Sequence, residues 1–354
     1  DWSVETLQAE LGNELPAFYI LTNSRSFTLD VARSINTEIG HNLVAASRQS
    51  NTRYVVVSRS DSTLRGHFPG EVEALSEALS KSFDGWIITP FFPEGGRYTI
   101  DDVHYVDKNG WMVPAGETEF ARDKAFGYIS SNLRDWVAEK TGGRISSEDV
   151  VSISINDLRA GGPEGVASFL KKLQQRSICV VNAAGYRDLE VFVAGLLDAE
   201  SHGKRFLYRT AASFVQVRSG LSPRPLLTAA DLDLPDSGAG LIIVGSHVPR
   251  TNEQMNALLA HPQISQTEVR VDALLHEAHR TNEINRAAEL SDKALARGRD
   301  MVIYTGRQLV SGKTAESSLS IGQKISKGLI AILNKITVKP RYILAKGGIT
   351  SSDV

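Results

Sequence analysis

One cysteine, Cys179, is all that the chain contains. A lone thiol can close no intrachain disulfide and build no cysteine zinc site, so neither device holds this fold. It fits a reducing compartment. Charge of one sign is missing as well: 39 Lys and Arg stand against 41 Asp and Glu, a formal net charge of −2. That excludes a generally basic nucleic-acid coat and a polybasic membrane anchor. Apolar runs such as LIIV at 241–244 fall far short of a membrane span. No charged-then-apolar leader opens the chain, which starts at Asp1 and not at Met. No fixed-period repeat or low-complexity tract is present. What is there is ordinary globular composition over 354 residues, 42% hydrophobic and 23% charged. At that length roughly two domains are expected.

Short β-rich runs alternate with helical stretches. AFYILT (17–22), YVVVS (54–58), GWIIT (85–89), VVSISI (150–155) and SICVVN (177–182) read as buried strands, being apolar, β-branched and bounded by turn residues. Amphipathic stretches at 28–48, 69–82, 163–175 and 187–200 read as helices. VHYVDKNGWMVP (103–114) breaks the rhythm. Its Asn109-Gly110 between alternating apolar residues predicts a two-residue hairpin, because both turn positions need positive φ. Residues 219–240 are rich in Pro, Gly, Ser and Asp and read as a linker between domains 1–218 and 241–354. Beyond it LIIVG, TEVRV, MVIYTG and RYILA read as strands, with helices near 251–261, 282–297 and 314–335. The predicted fold is α/β: two domains, each a mostly parallel sheet flanked by helices, with a hairpin excursion in the first and a cleft between them.

In such sheets ligands bind where strands end. SRSDSTLRGH (58–67) follows one strand and precedes a helix. Asp61 can accept a hydroxyl proton, Ser62 and Thr63 bring hydroxyls, and Arg65 offers a planar fork to a carboxylate. The same residues also read as plain helix caps. Asn23 and Arg25 follow AFYILT, and Gly96 and Arg97 follow GWIIT and the turn PFFP. Three strand ends carrying Arg with small polar residues suit an anionic, hydroxylated small molecule. In the second domain the Gly245-Ser246 turn and the Gly347-Gly348-Ile349-Thr350 turn expose N–H groups and hydroxyls that suit phosphate. Gly306 to Thr314 follows a strand and ends in Gly-Lys-Thr like a phosphate-binding loop, but five residues, not the four such a loop needs, separate its first Gly from the Gly-Lys pair. Ser311 or Thr314 is expected to cap a helix there. His276 and His279 stand at i, i+3 and read as solvated; His104 lies in the hairpin, where packing competes with catalysis; Cys179 reads as a buried thiol.

With these motifs in view the chain resembles the four-carbon acid sugar kinases. SDSTLRGHFPGE (60–71), PFFPEGGRYTIDDVHYV (90–106), ETEFARD (117–123), RTAASF (209–214), GSHVPRTNEQ (245–254) and AKGGITSSD (345–353) carry the match in family order. The wording is most similar to the plant version, a long polypeptide fused to dehydrogenase-like and class II aldolase-like domains, so a segment of a longer chain is expected. The resemblance implies phosphorylation by ATP, with Mg²⁺, of a terminal hydroxyl on a small-molecule four-carbon sugar acid of erythronate, threonate or 3-oxo-tetronate type. It places Asp61 to Gly66, Gly96 and Arg97 at the sugar acid, and Gly245, Ser246, Gly347, Gly348, Ile349 and Thr350 at ATP. Asn23 and Arg25 join the substrate side, Asp61 is the expected proton acceptor or hydroxyl-positioning group, and no protein metal site is expected. Arg59, His67 and Ile349 depart from the family's usual Lys, Asn and acidic residue, and neither the family's opening Asp-Asp-x-Thr-Gly-type motif nor its last Gly-rich stretch occurs here. Neither a nucleic acid nor a membrane is an expected partner, and a cytoplasmic location is expected. Two other readings stand beside this one. The first is a non-catalytic module holding a sugar acid or nucleotide. The second is a nucleotide-binding oxidoreductase, weakened by the absence of G-x-G-x-x-G after a strand.

Overall fold

The computed structural model describes residues 1–13, 15–79, 82–174 and 177–354, and only the backbone of Ile349. Two units emerge: Asp1–Ser24 with Leu29–Pro223, and Arg25–Thr28 with Arg224–Val354. Among the described residues no helix is long and apolar enough to cross a membrane.

The first unit runs α1 (Val4–Gly12), α2 (Leu29–Ser50), β1 (Val57–Arg59), α3 (Gly70–Ala78), β2 (Gly85–Thr89), β3 (Arg97–Ile100), β4 (Val103–Lys108), β5 (Trp111–Pro114), α4 (Leu133–Lys140), β6 (Val151–Ile153), α5 (Ile155–Lys172), β7 (Ser177–Val181), α6 (Tyr186–Ser201), β8 (Phe206–Thr210) and α7 (Ala212–Arg218). Its main sheet is parallel, in the order β1-β8-β2-β7-β6. Side chains alternate across a strand, so a sheet covered on both faces sorts its residues by parity. Trp86, Ile88, Ile178, Val180 and Leu207 pack on α3 and α4, while Ile87, Cys179, Val181, Phe206 and Tyr208 pack on α5, α6 and α7.

The hairpin forms as expected: β4 and β5 are antiparallel around Asn109 (φ 56°) and Gly110 (φ 87°). β3 extends it to three strands. Thr99 and Ala183 exchange backbone hydrogen bonds of 3.0 Å, which fastens this small sheet to the end of β7.

Several expectations change. Residues 17–22 form no strand; Phe18 and Ile20 lie against α1 and α2, but Tyr19 and Leu21 are exposed. The apolar run there lines a helix pair and joins no ladder. Of YVVVS only Val57 and Ser58 fall in β1. α5 begins eight residues before the expected start, because Ser154 and Asp157 form a capping box and the chain continues through a kink at Gly162, next to Pro163. β8 was not read from the sequence, although it lies between β1 and β2. Its charged Arg209 disguises a fully buried strand.

The second unit runs β9 (Leu241–Val244), α8 (Pro249–Leu259), β10 (Ser265–Val269), α9 (Val271–Leu275), α10 (Glu277–Leu295), β11 (Met301–Thr305), α11 (Ala315–Lys335), β12 (Ile343–Lys346) and α12 (Gly348–Asp353). Its sheet is parallel, ordered β10-β11-β9-β12. α9, α10 and α11 cover one face through Leu274, Ile284, Ala287, Leu329 and Ile332; α8 covers the other through Met255.

Candidate functional site

In the first unit the helix after β1 lies on one face of the sheet and the helix after the neighbouring β8 on the other. Adjacent strands whose connections leave in opposite directions open a crevice at their carboxyl ends. The segment 60–67 occupies that position: Ser60 N–H donates to Thr210 O at 2.8 Å. Asp61 then gathers its neighbours. Its carboxylate accepts from Arg65 Nε at 2.9 Å and Nη2 at 3.2 Å, from Thr63 N–H at 3.3 Å, and from the Thr63 hydroxyl. Arg65 also meets Asp123 at 3.5 Å.

Arg97 enters from β3. Gly96 precedes it at φ 72°, and a Cβ there would stand 2.9 Å from Asp107 Cβ, so the turn requires glycine. The guanidinium groups of Arg97 and Arg65 each lie 5.1 Å from the ring centre of Phe120, within cation–π range. Burial pulls Arg97 below its ordinary pKa; the charge of Asp61 opposes this and that of Arg65 adds to it. Arg97 donates to Gly95 O, its buried Nε has no hydrogen-bond partner, and it forms no ion pair among the described residues. A cation so placed favours an anionic ligand.

The segment 62–65 is held from behind. His104, fully buried, has Nε2 at 2.8 Å from Ser62 O and Nδ1 at 3.0 Å from Thr99 Oγ1. Burial pushes its pKa down to about 4. Tyr128 donates to Thr63 O at 2.9 Å. Arg209, only 3% exposed, stacks over Phe68 and Trp136 and stands 3.9 Å from Glu71. None of these three was predicted as a site residue, and neither were Phe120 and Asp123. The stretches quoted for the resemblance hold four of the five: Phe120 and Asp123 in ETEFARD, Arg209 in RTAASF and His104 in PFFPEGGRYTIDDVHYV. Asn23 takes a left-handed φ of 47°. Arg25, expected at a third strand end, has no strand before it and groups with the second unit. The arginines that the first unit brings together are Arg65 and Arg97.

The second unit repeats the topology. β9 and β11 are neighbours, with α8 after one and α11 after the other on opposite faces. Gly245-Ser246-His247 and Gly306-Arg307 meet at their ends. Arg307 Nη2 donates to Ser246 O at 2.7 Å and to Asn252 Oδ1, while its buried Nε and Nη1 have no hydrogen-bond partner. Thr251 Oγ1 lies 3.1 Å from Ser246 Oγ. Burial, then the charge of Arg307, lowers the pKa of His247. From the other side of β9, Gly347 (φ 126°) brings Thr350 against Gly245 so closely that a Cβ on Gly245 would overlap Thr350 Oγ1. The two glycine turns are thus brought together, and the side chain of Ile349 lies outside the described residues. Arg307 is an addition to the residues expected from the sequence; its signal there is the Thr305-Gly306-Arg307 at the end of a strand, ahead of the Gly-Lys-Thr. Thr314 caps α11 through a capping box with Ser317, and Lys313 is exposed. Among the described residues no group of three or more His, Cys, Asp or Glu side chains is arranged to hold a metal ion.

Known proteins match both halves. The model of a sugar-binding N-terminal domain matches residues 2–218, and that of a nucleotide-binding C-terminal domain matches residues 241–354. A D-erythronate kinase of Heliobacterium modesticaldum is 26% identical over 340 residues, covering 92% of this chain and 71% of that protein. A candidate tRNA synthase of Salmonella typhimurium LT2 shares the fold, with a TM-score of 0.61 at 16% identity, over 99% of this chain and 84% of its own. Protein HI1011 of Haemophilus influenzae gives 0.53 at 19% identity, over 94% and 76%. With a sugar-binding and a nucleotide-binding domain following each other along nearly its whole length, the chain belongs to the four-carbon acid sugar kinase family.

Proposed function

We propose that the chain transfers the γ-phosphoryl group of ATP to a terminal hydroxyl of a four-carbon sugar acid of the erythronate, threonate or 3-oxo-tetronate class. The observation that carries this reading is the pair of domains, sugar-binding then nucleotide-binding, in a chain similar over 92% of its length to a D-erythronate kinase. The site chemistry agrees with it. Arg97, a half-buried cation without an ion pair among the described residues, receives the substrate carboxylate, with Arg65 beside it on Phe120. Asp61, Ser62 and Gly96 line the hydroxyls. Gly245, Ser246, Gly347, Gly348, Ile349 and Thr350 surround the triphosphate, and Arg307 adds a charge to them. Asn23 stays assigned to the acceptor side, whereas Arg25, expected there too, groups with the second unit beside Gly348 and adds its charge to the triphosphate turn.

In the reaction the hydroxyl oxygen bonds to the γ-phosphorus, the bond to the β–γ bridging oxygen breaks, and ADP leaves with that electron pair. The hydroxyl proton passes to the Asp61 carboxylate. Positioning and charge carry most of such a transfer. No protein cage for a metal exists among the described residues. Magnesium, a hard cation held mainly by phosphate and water, would arrive with the nucleotide and would neutralise its charge.

A coupled ADP-release assay on D-erythronate, D- and L-threonate and the 3-oxo-tetronates tests the proposal. Turnover with one of them supports it. ATP binding without turnover on the whole panel replaces it with a binding module.

A further inference from the structure

The segment 61–66 carries the proposed acceptor-binding side chains, and two of its carbonyl groups are held from behind. Ser62 O and Thr63 O, consecutive acceptors, meet His104 Nε2 at 2.8 Å and Tyr128 Oη at 2.9 Å. We infer that His104 and Tyr128 are positioning residues for the sugar-acid site, fixing the two peptide groups that aim Asp61 and Arg65. The inference rests on the proposed function for what the site binds, and on geometry for what the two residues do.

The chemistry of each donor fits. A carbonyl oxygen only accepts, so His104 must carry its proton on Nε2. Nδ1 is then the bare nitrogen and accepts from the Thr99 hydroxyl at 3.0 Å. Burial, with the charge of Arg97 beside it, keeps the ring neutral at pH 7. Thr99 is itself fixed by two backbone hydrogen bonds to Ala183, and His104 N–H donates to Ser131 O. The clamp is thus anchored to the main sheet. Tyr128 is 5% exposed, and burial, reinforced by the charge of Asp61, raises its pKa, so its phenol stays a donor. The two peptide groups lie on the stretch of backbone that joins Asp61 to Arg65, so holding them in one orientation fixes the places from which the two flanking side chains start. Asp61 and Arg65 then meet as a fork-to-fork pair without a search.

The test uses the full chain with His104→Phe, His104→Gln and Tyr128→Phe. His104→Phe and Tyr128→Phe are expected to raise the KM for the sugar acid about 10- to 100-fold and to leave the KM for ATP unchanged. They also accelerate hydrogen exchange at amides 62–66. His104→Gln, whose side-chain amide can still donate to Ser62 O, recovers most of the loss. Unchanged sugar-acid KM and unchanged exchange in variants that melt with the wild type overturn the inference. So does a parallel rise in both KM values that His104→Gln fails to relieve. A wild-type chain that turns over no sugar acid refutes the proposed function instead; the exchange at 62–66 then decides the clamp by itself.

Discussion

Arg65 and Arg97 share the Phe120 ring yet stand in different electrostatic situations. Arg65 is spoken for by Asp61 on two nitrogens and by Asp123 on the third. Arg97 keeps an unpartnered Nε and lacks an ion pair among the described residues. A hydrogen bond to a charged group is worth about 1.5–3 kcal/mol, roughly 10- to 100-fold in an equilibrium constant. Arg97→Ala is therefore expected to raise the sugar-acid KM by that factor with little change for ATP, as steady-state kinetics would measure. Arg97→Lys should restore little, because an ammonium lacks the planar fork. Arg307 is the counterpart in the second unit: Arg307→Ala should raise the KM for ATP and spare that for the sugar acid. Equal effects of either variant on both substrates would contradict the assignment.

At the scale of elements, the start of α11 separates two readings of Gly-Lys-Thr. Thr314 caps the helix through its hydroxyl, accepting from Ser317 N–H at 3.1 Å. Removing such a cap costs about 1 kcal/mol. Thr314→Ala should lower the melting temperature of the second unit, and both it and Lys313→Ala should leave the KM for ATP untouched. A large rise in that KM with Lys313→Ala would restore the phosphate-loop reading. The turn into β3 makes the opposite kind of prediction. A Cβ at Gly96 meets Asp107 in a left-handed backbone, so Gly96→Ala should shift Arg97 and raise the sugar-acid KM well beyond its effect on stability.

For the whole molecule, acid should act on the two units in different windows. His104, in the first unit, has its pKa lowered by burial from 6.5 to about 4. The unfolded chain therefore takes the proton first; the stabilisation is complete above about pH 6.5 and is lost as pH falls towards 4. Glu283, in the second unit, is fully buried. Burial raises its pKa, but hydrogen bonds from Arg286 and Arg270 outweigh that and bring it from 4.5 to about 2. Its contribution is complete above pH 4.5 and is lost between there and 2. Each is worth about 3 kcal/mol at most. Trp2, Trp86, Trp111 and Trp136 all belong to the first unit. Tryptophan fluorescence should therefore change at higher pH than the far-ultraviolet circular dichroism, which reads both units. Superimposed transitions would contradict this.

The sequence by itself determined what is encoded locally. Short β-branched runs such as GWIIT and LIIV became central strands because both their faces need cover, and Asn109-Gly110 made its hairpin because the turn needs two positive φ values. The polar motifs at 61–66, 96–97, 245–246 and 347–350 likewise fell at strand ends or turns, since small and glycine residues mark such places. Tertiary structure decided the rest. It kept AFYILT out of the sheet, because a helix pair could take its apolar side chains, and put β8 in, because Arg209 could stack on Phe68 and Trp136. It also brought His104 to Ser62 and Tyr128 to Thr63, 42 and 65 residues apart along the chain. No spacing rule in the sequence encodes such pairs; they exist only once the hairpin is fastened to the sheet.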